Sequence, residues 1–471
     1  MQIAIFAMYL RGGDAVGRQL SLWVRVLLGA GYTVRLFVEE LSTSAPADIA
    51  GCTTVITGSQ LLQSEAWQWV EEADLVICDY PAYFGLAECL RLLTKPRVLF
   101  SYHGVTPPHF WPNREGQAFL EQSRRRAALV HFADLAVTRS EFTRQELYHL
   151  TGYSLDRIAV VPCIVPRPSI QRSTRHFSHT TPLILAVGRL AVNKQPELLV
   201  EALAMLRSAL PDARLVFVGD ARGPSHAPVL AVIRRRAEEF GVADAVDCTG
   251  LVDDDLLEHL YQQADLLVSA SAHEGFCVPV VEAMARGVPV VAMSAGAIPE
   301  TVGDAGLLVP AGDVQALAMA MQTVLSSDAE RHSLVRRGYD RAQRYEVEIV
   351  GVELLALLRD LPPAKRRVGL PRLNQKINLT ALDGAAEVAV PVLPSVQRIP
   401  FISHFAARLR QWLTSDMQRL SDLLIQRQVA YNRLLAQTIA AVDELSAQLS
   451  EAQAADRYLE QQRHVHSRHD A

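Results

Sequence analysis

Nowhere in the 471-residue sequence do 18 or more apolar residues follow one another, so a membrane-spanning helix is not expected. Neither sign of charge dominates. Against 51 Asp and Glu stand 46 Lys and Arg, a net charge of −5, which argues against nucleic acid as a partner. Cysteine is scarce: Cys52, Cys78, Cys89, Cys163, Cys248 and Cys277 are scattered, with no two closer than eleven positions. That spacing supplies neither a disulfide framework nor a zinc-ligand set, and it fits a reducing compartment. The opening MQIAIFAMYLRGGDAVG lacks a basic start and a small-residue cleavage site, and is expected to begin as a buried strand. With 49% hydrophobic and 21% charged residues, wholesale disorder is excluded. At roughly 150 residues per domain the length allows about three units.

What is present is a pattern stated twice. Short apolar runs at 2–8, 33–38, 74–78, 97–102, 134–138 and 157–161 alternate with amphipathic stretches such as 15–30 and 117–131. After the Pro-rich 162–168 and a polar linker the pattern restarts, with runs at 183–187, 214–218, 245–249, 265–269, 288–292 and 306–309. Helices are expected between them, including 279–286 and 314–326. Near-continuous apolar strands separated by helices predict parallel sheets covered on both faces. The expected α/β architecture is two doubly wound, Rossmann-like domains (1–165 and 183–345) joined by a linker at 166–182 and facing a cleft. A returning helix is expected at 346–360. Ligands of such sheets bind outside the carboxyl ends of the strands, which points to the cleft.

The last 110 residues differ. Residues 361–410 hold eight Lys or Arg, with Asp383 and Glu387 as the acids, and Pro362, Pro363, Pro371, Pro391, Pro394 and Pro400 break any long helix over 361–400. From 401 to 449 there is neither Pro nor Gly, and Leu413, Met417, Leu420, Leu424, Tyr431, Leu435, Val442, Leu445 and Leu449 recur at helical spacing. An amphipathic helical extension over 401–460 is expected, with coiled coil as one option. Through it the chain would form a homo-oligomer, dock on a partner transferase, or lie on an anionic membrane surface by way of Phe401, Phe405 and Trp412.

The run SAHEGFCVPVVEAMARGVPVVA at 271–292 carries the sharpest chemistry. Glu274 and Glu282 are eight apart, and Pro279 pre-organises a first helical turn, so Glu274 falls in the preceding loop and Glu282 one turn into the helix. Backbone N–H groups at that helix start suit an anion. A strand, loop and helix bearing two exposed glutamates by chance is the plain alternative. Arg189 and Lys194, in LILAVGRLAVNKQP, offer a planar fork and a mobile point charge, the means of gripping a diphosphate; a solvated loop pair is the bland reading. The Asp253–Asp255 run is read as a helix cap, Ser140 as an N-cap alone, and Arg124–Arg126 as a solvated helix face. His464, His466 and His469 have no ordered framework that would make a metal site.

Together these motifs, with RLVFVGD at 214–220, TGLV at 249–252, YQQADLLVS at 261–269 and GAIPETVGDAGLLV at 296–309, resemble glycosyltransferase family 4 of the GT-B fold. The likeness covers roughly residues 1–360. It implies a retaining enzyme of bacterial surface-polysaccharide biosynthesis, moving a hexose from a UDP- or GDP-sugar to a glycan or lipid-linked acceptor without a cofactor or an essential metal. It implies that Arg189 and Lys194 clamp the donor diphosphate and that Glu282 binds the ribose. Glu274 would contact the transferred sugar, with Gly275, Phe276 and Cys277 giving backbone N–H groups. Many relatives have Gly where Cys277 stands, so a positive φ there would be costly. The Gly12–Gly13 loop after the first strand would lie near the diphosphate and acceptor, and His103 would face the donor sugar. His109 and Trp111 would line the acceptor pocket. A dinucleotide-binding loop, suggested by Glu39 and Glu40, fails because Gly12, Gly13 and Gly17 are one and four apart rather than two and three. A GT-B nucleotide-sugar epimerase and a non-catalytic scaffold of a polysaccharide-synthesis complex remain as alternatives. The reading places the chain in the cytoplasm or peripherally at the inner face of the membrane.

Overall fold

The computed structural model describes residues 1–168, 181–221 and 226–364. The helix expected over 401–460, and all but the first four residues of the basic segment 361–400, lie outside the described residues.

The first sheet is built from β1 (Gln2–Leu10), β2 (Thr33–Leu41), β3 (Thr53–Val55), β4 (Leu75–Tyr80), β5 (Arg97–Tyr102), β6 (Leu135–Thr138) and β7 (Ile158–Val160), in the order β3-β2-β1-β4-β5-β6-β7. The second holds β8 (Leu183–Val187), β9 (Arg214–Val218), β10 (Val246–Gly250), β11 (Leu266–Ser269), β12 (Val290–Ser294) and β13 (Leu307–Pro310), in the order β10-β9-β8-β11-β12-β13. Every ladder is parallel, as near-continuous apolar runs demand when helices cover both faces. All six residues of β4, LVICDY, are buried. β3 escaped the sequence because its three residues are half-exposed and sit at a sheet edge. The amphipathic stretch at 117–131 is not one helix. Asn113 caps a helix at Arg114–Arg126, its side chain accepting from the Gly116 N–H at 2.8 Å, and a tighter 3₁₀ segment follows over Ala127–Phe132.

Strand order reverses between β1 and β4 and again between β8 and β11, so each sheet has a switch point where a crevice opens at the strand carboxyl ends. The first core packs Ile3, Ile5, Leu75, Ile77 and Leu99 against Leu20, Val24 and Leu27 of the helix Ala15–Gly29. Val350, Leu354 and Leu358 of the last described helix, Val347–Arg359, join that same core, so the chain returns to its first domain. Gly351 makes this possible, since a Cβ there would stand 3.3 Å from Val26. Each such buried side chain contributes about 1.5–3 kcal/mol, and truncating Leu354 to Ala would cost about 2–5 kcal/mol. The two strands of the crossover run side by side: the Val165 N–H donates to the Tyr345 carbonyl at 2.8 Å, and Arg167 forks onto Glu346. Gln19, buried, clasps the backbone of Ile164 through both its amide groups, at 2.6 and 2.8 Å.

Candidate active site

At the first switch point β1 ends in Tyr9 and Leu10, and the loop Arg11–Asp14 leads into the helix Ala15–Gly29. Asp14 caps that helix, accepting from the Gly17 N–H at 2.7 Å. The Gly12 N–H donates to Ser44 Oγ at 3.1 Å, and a Cβ on Gly12 would collide with the Ser44 carbonyl. Gly13 has φ +93°, a left-handed conformation that favours glycine, and faces Leu251 of the second domain. Arg11 forks onto Glu40 at 2.7 and 2.8 Å and lies over the Tyr9 ring. The Tyr9 phenol is raised above its usual range by burial first and Asp14 next, while Arg189 from the opposite domain pulls it down.

The second switch point carries the expected cations. Arg189 is exposed and has no carboxylate partner among the described residues. Lys194 lies in a small recess lined by Gly188, Arg189 and Ser269–Ser271. Its ammonium is ion-paired with the Glu274 carboxylate. Burial would lower its pKa, but Glu274 outweighs it and holds the amine above its ordinary value. The Glu274 loop is stitched in place. Asn193 Nδ2 donates to the His273 carbonyl at 3.1 Å, the Ala272 N–H to the Asn193 carbonyl at 2.7 Å, and the Ala297 N–H to the Glu274 carbonyl at 2.9 Å. Thr301 Oγ1 donates to the Phe276 carbonyl at 2.6 Å, and the Phe276 ring meets Tyr345 edge-on. Cys277 precedes the helix Val278–Ala285 with φ +73°, the costly geometry for a side-chain-bearing residue, roughly 1–2 kcal/mol. Burial pushes its thiol up to about 12, so it stays protonated. Glu282, one turn into that helix, accepts from Tyr261 Oη at 2.9 Å and lies 3.5 Å from Arg18 Nη1, which reaches over from the helix Ala15–Gly29.

His103 is placed at the seam between the domains. Its carbonyl oxygen would lie 2.2 Å from a Cβ on Gly275, so only glycine permits this approach. The imidazole Nε2 is 2.6 Å from Asp79 Oδ1. Behind it Arg139 donates to Ser101 Oγ at 2.7 Å and stacks over Trp23. Burial alone would raise the Asp79 carboxyl; His103, Arg139 and Ser101 outweigh it and hold it below its ordinary value. Sequence reasoning missed Asp79 and Arg139. The available signal was a charge at the end of each apolar run, LVICDY and LAVTR, where a strand enters the crevice. Trp111 lies against Gly116, where a Cβ would collide with its ring, and His109 is exposed beside Phe110.

Two expectations are corrected. Arg124 is no solvated residue: Nη1 donates to Glu146 Oε1 at 2.8 Å and to the Val105 carbonyl at 2.7 Å, and Arg126 pairs with Glu88. Their neighbour Arg125 alone keeps to the exposed face. Ser140 does cap the helix Glu141–Thr151, accepting from the Thr143 N–H at 3.1 Å, but its hydroxyl also donates to the Gly275 carbonyl at 2.8 Å. Asp253 caps its helix as expected, accepting from the Leu256 N–H at 2.8 Å, while the next residue, Asp254, pairs with Arg18.

Comparison with known proteins agrees with this geometry. Residues 16–167 match the family model described as Glycosyltransferase Family 4, and residues 169–341 that of Glycosyl transferases group 1. The two matches lie end to end, and the chain belongs to the family 4 glycosyltransferases, with the GT-B fold. Relatives include a D-inositol 3-phosphate glycosyltransferase of Corynebacterium glutamicum, 29% identical over 263 residues, covering 53% of this chain and 61% of the relative. The O-antigen chain mannosyltransferase B of Escherichia coli is 27% identical over 266 residues, covering 54% and 67%. The chain thus spans about six tenths of the length of the first relatives it matches. Among solved structures, sucrose-phosphate synthase from Thermosynechococcus elongatus superposes with TM-score 0.61 at 22% identity, covering 76% of this chain and 98% of that one. HepE of Anabaena, solved with UDP and glucose, gives 0.61 at 19%, covering 77% and 100%.

Proposed function

We propose that the chain transfers a hexose from a UDP- or GDP-sugar to a hydroxyl of a glycan or lipid-linked acceptor, retaining the α configuration, in surface-polysaccharide biosynthesis. The observation that carries this reading is the Lys194–Glu274 ion pair beside exposed Arg189 at the second switch point, with His103 of the first domain against Gly275. The polysaccharide setting leans on the likeness to an O-antigen mannosyltransferase.

In this reading the donor diphosphate lies between the start of the helix Ala15–Gly29 and the Arg189–Lys194 turn. The two cations neutralise charge that grows on the leaving diphosphate as the glycosidic C–O bond breaks. Glu274 and the Gly275–Cys277 amides orient the sugar, and Glu282 accepts from the ribose hydroxyls. The acceptor hydroxyl attacks from the face the diphosphate leaves, and its proton passes to a phosphate oxygen. A metal has no assigned task, because Arg189 and Lys194 take the charge. Closure over the 161–168 and 345–347 crossover would exclude water from the donor. The reaction would run on the cytoplasmic side, against the inner membrane face when the acceptor is lipid-linked; no helix among the described residues is long and apolar enough to cross a membrane.

The test is thermal unfolding against UDP, GDP, ADP and their sugar conjugates. A ligand at one hundred times its dissociation constant stabilises by about 2.7 kcal/mol. A midpoint shift with one base, lost in Arg189→Ala, fixes the donor class. No shift from a well-folded sample would favour the scaffold reading. Product analysis without acceptor would expose an epimerase.

A further inference from the structure

Arg18 belongs to the first domain, one turn into the helix that follows the glycine loop, yet its guanidinium is spent on the second. Nη1 stands 3.5 Å from Glu282 Oε1, and Nη2 is ion-paired with Asp254. Glu282 is largely buried, its side chain 13% exposed, and its other oxygen accepts from Tyr261 Oη at 2.9 Å. Both oxygens of the carboxylate assigned to the ribose are therefore engaged, one of them by a residue from across the cleft. Asp254 is 81% exposed and Arg18 about one-third exposed, so water reaches the far end of the bridge. A guanidinium that stands 3.5 Å from one largely buried carboxylate and pairs with a second, solvated one is anchored weakly enough to exchange.

We infer that Arg18 is a cross-cleft latch that closes the ribose side of the cleft through Glu282 and Asp254 and gives way when the donor ribose takes Glu282. The inference rests on the proposed ribose role of Glu282. It makes Arg18 a positioning residue with a thermodynamic signature, because a ribose hydroxyl gains a bond to Glu282 only as the latch loses one. Donor affinity is thereby reduced by the fraction of molecules held latched, and the ribose hydroxyls count for less than they would at a vacant carboxylate.

Calorimetric titration of the full chain, Arg18→Ala and Asp254→Asn with UDP, GDP and their 2′-deoxy counterparts tests this. The expected result is threefold or tighter binding of the preferred diphosphate by Arg18→Ala, a smaller gain in Asp254→Asn, and a larger ratio of ribose to deoxyribose affinity in both. Weaker binding in Arg18→Ala would make Arg18 a direct nucleotide ligand and overturn the latch, as would an unchanged ratio. A chain that binds no nucleoside diphosphate at all would sink the proposed function separately. The latch is then read without ligand, from fluorescence transfer between labels on the two domains. A wider distance in both variants supports it, and an unchanged distance overturns it. Asp254 is almost wholly exposed, so its variant reports even where Arg18→Ala folds poorly.

Discussion

Lys194 and Glu274, eighty residues apart in sequence, form one ion pair at the mouth of the second sheet. Lys194 reaches it from a 3₁₀ turn after β8, and Glu274 from the loop after β11. Neither position is free to drift, because Asn193 bonds to the Glu274 loop in both directions. The pair thus holds an ammonium and its counter-ion in a fixed position at the carboxyl end of the second sheet.

Removing that cation should act on the chemical step. Lys194→Ala is expected to lower the transfer rate by about 10²–10³-fold, the usual cost of a lost charge stabiliser. Lys194→Arg keeps the charge but replaces a compact ammonium with a planar fork, so it should restore the rate only in part. Steady-state rates with saturating donor check this; a fall in affinity with the maximal rate intact would assign Lys194 to binding alone.

Acid should weaken the fold through Glu146. This buried carboxylate accepts from Tyr102 Oη at 2.9 Å and Arg124 Nη1 at 2.8 Å, and lies 3.2 Å from His273 Nε2 of the second domain. Burial alone would raise its pKa, but His273 and Arg124 outweigh that and hold it below its ordinary 4.5. A depressed folded value gives stability that is full above about 4.5 and is lost as pH falls through the folded value. Unfolding free energies measured from pH 7 to pH 3 should decline along this limb, and Glu146→Gln, less stable at pH 7, should flatten it. Equal slopes in both proteins would remove Glu146 from the account.

How far the sequence reveals this site depends on how local each piece is. Arg189, Lys194, Glu274 and Glu282 could be read from single strand-loop-helix segments, since spacing around Gly188 and Pro279 already fixes which side of the loop each occupies. Asp79, His103 and Arg139 form a cluster only through register: Asp79 lies opposite Ser101 across the β4–β5 ladder, and Tyr102 opposite Thr138 across β5–β6. Nothing in LVICDY or LAVTR states that pairing. The same holds for Arg124, whose Arg-Arg-Arg context reads as solvated until Glu146 is brought beneath it from another helix.

Cys277 offers a test of stored backbone strain. Its φ of +73° costs a side-chain-bearing residue roughly 1–2 kcal/mol, while its buried side chain belongs to the apolar cluster of Leu185, Leu267 and Val281. Both Cys277→Ala and Cys277→Gly lose the sulfur, but only glycine relieves the backbone. Cys277→Gly should therefore unfold at the higher temperature of the two variants. Calorimetry decides it, and a lower midpoint for the glycine variant would mean that the conformation carries no strain.

The helix Glu141–Thr151 is capped from the other domain. Glu300 accepts from the Glu141 N–H with both carboxylate oxygens at 2.8 Å and from the Phe142 N–H at 3.3 Å. With the Ser140–Gly275 bond this ties the helix start to the loop that bears Glu274. A carboxylate at a helix N-terminus satisfies orphan donors and opposes the dipole, and its loss costs about 0.5–2 kcal/mol. Glu300→Ala should therefore destabilise by about 1 kcal/mol and speed amide exchange at Glu141 and Phe142 first. Glu300→Gln keeps one acceptor oxygen and should fall between the two. Because the tie joins domains rather than turns of one helix, the donor KM should rise in Glu300→Ala with less change in kcat; a fall in kcat alone would place Glu300 in the chemical step instead.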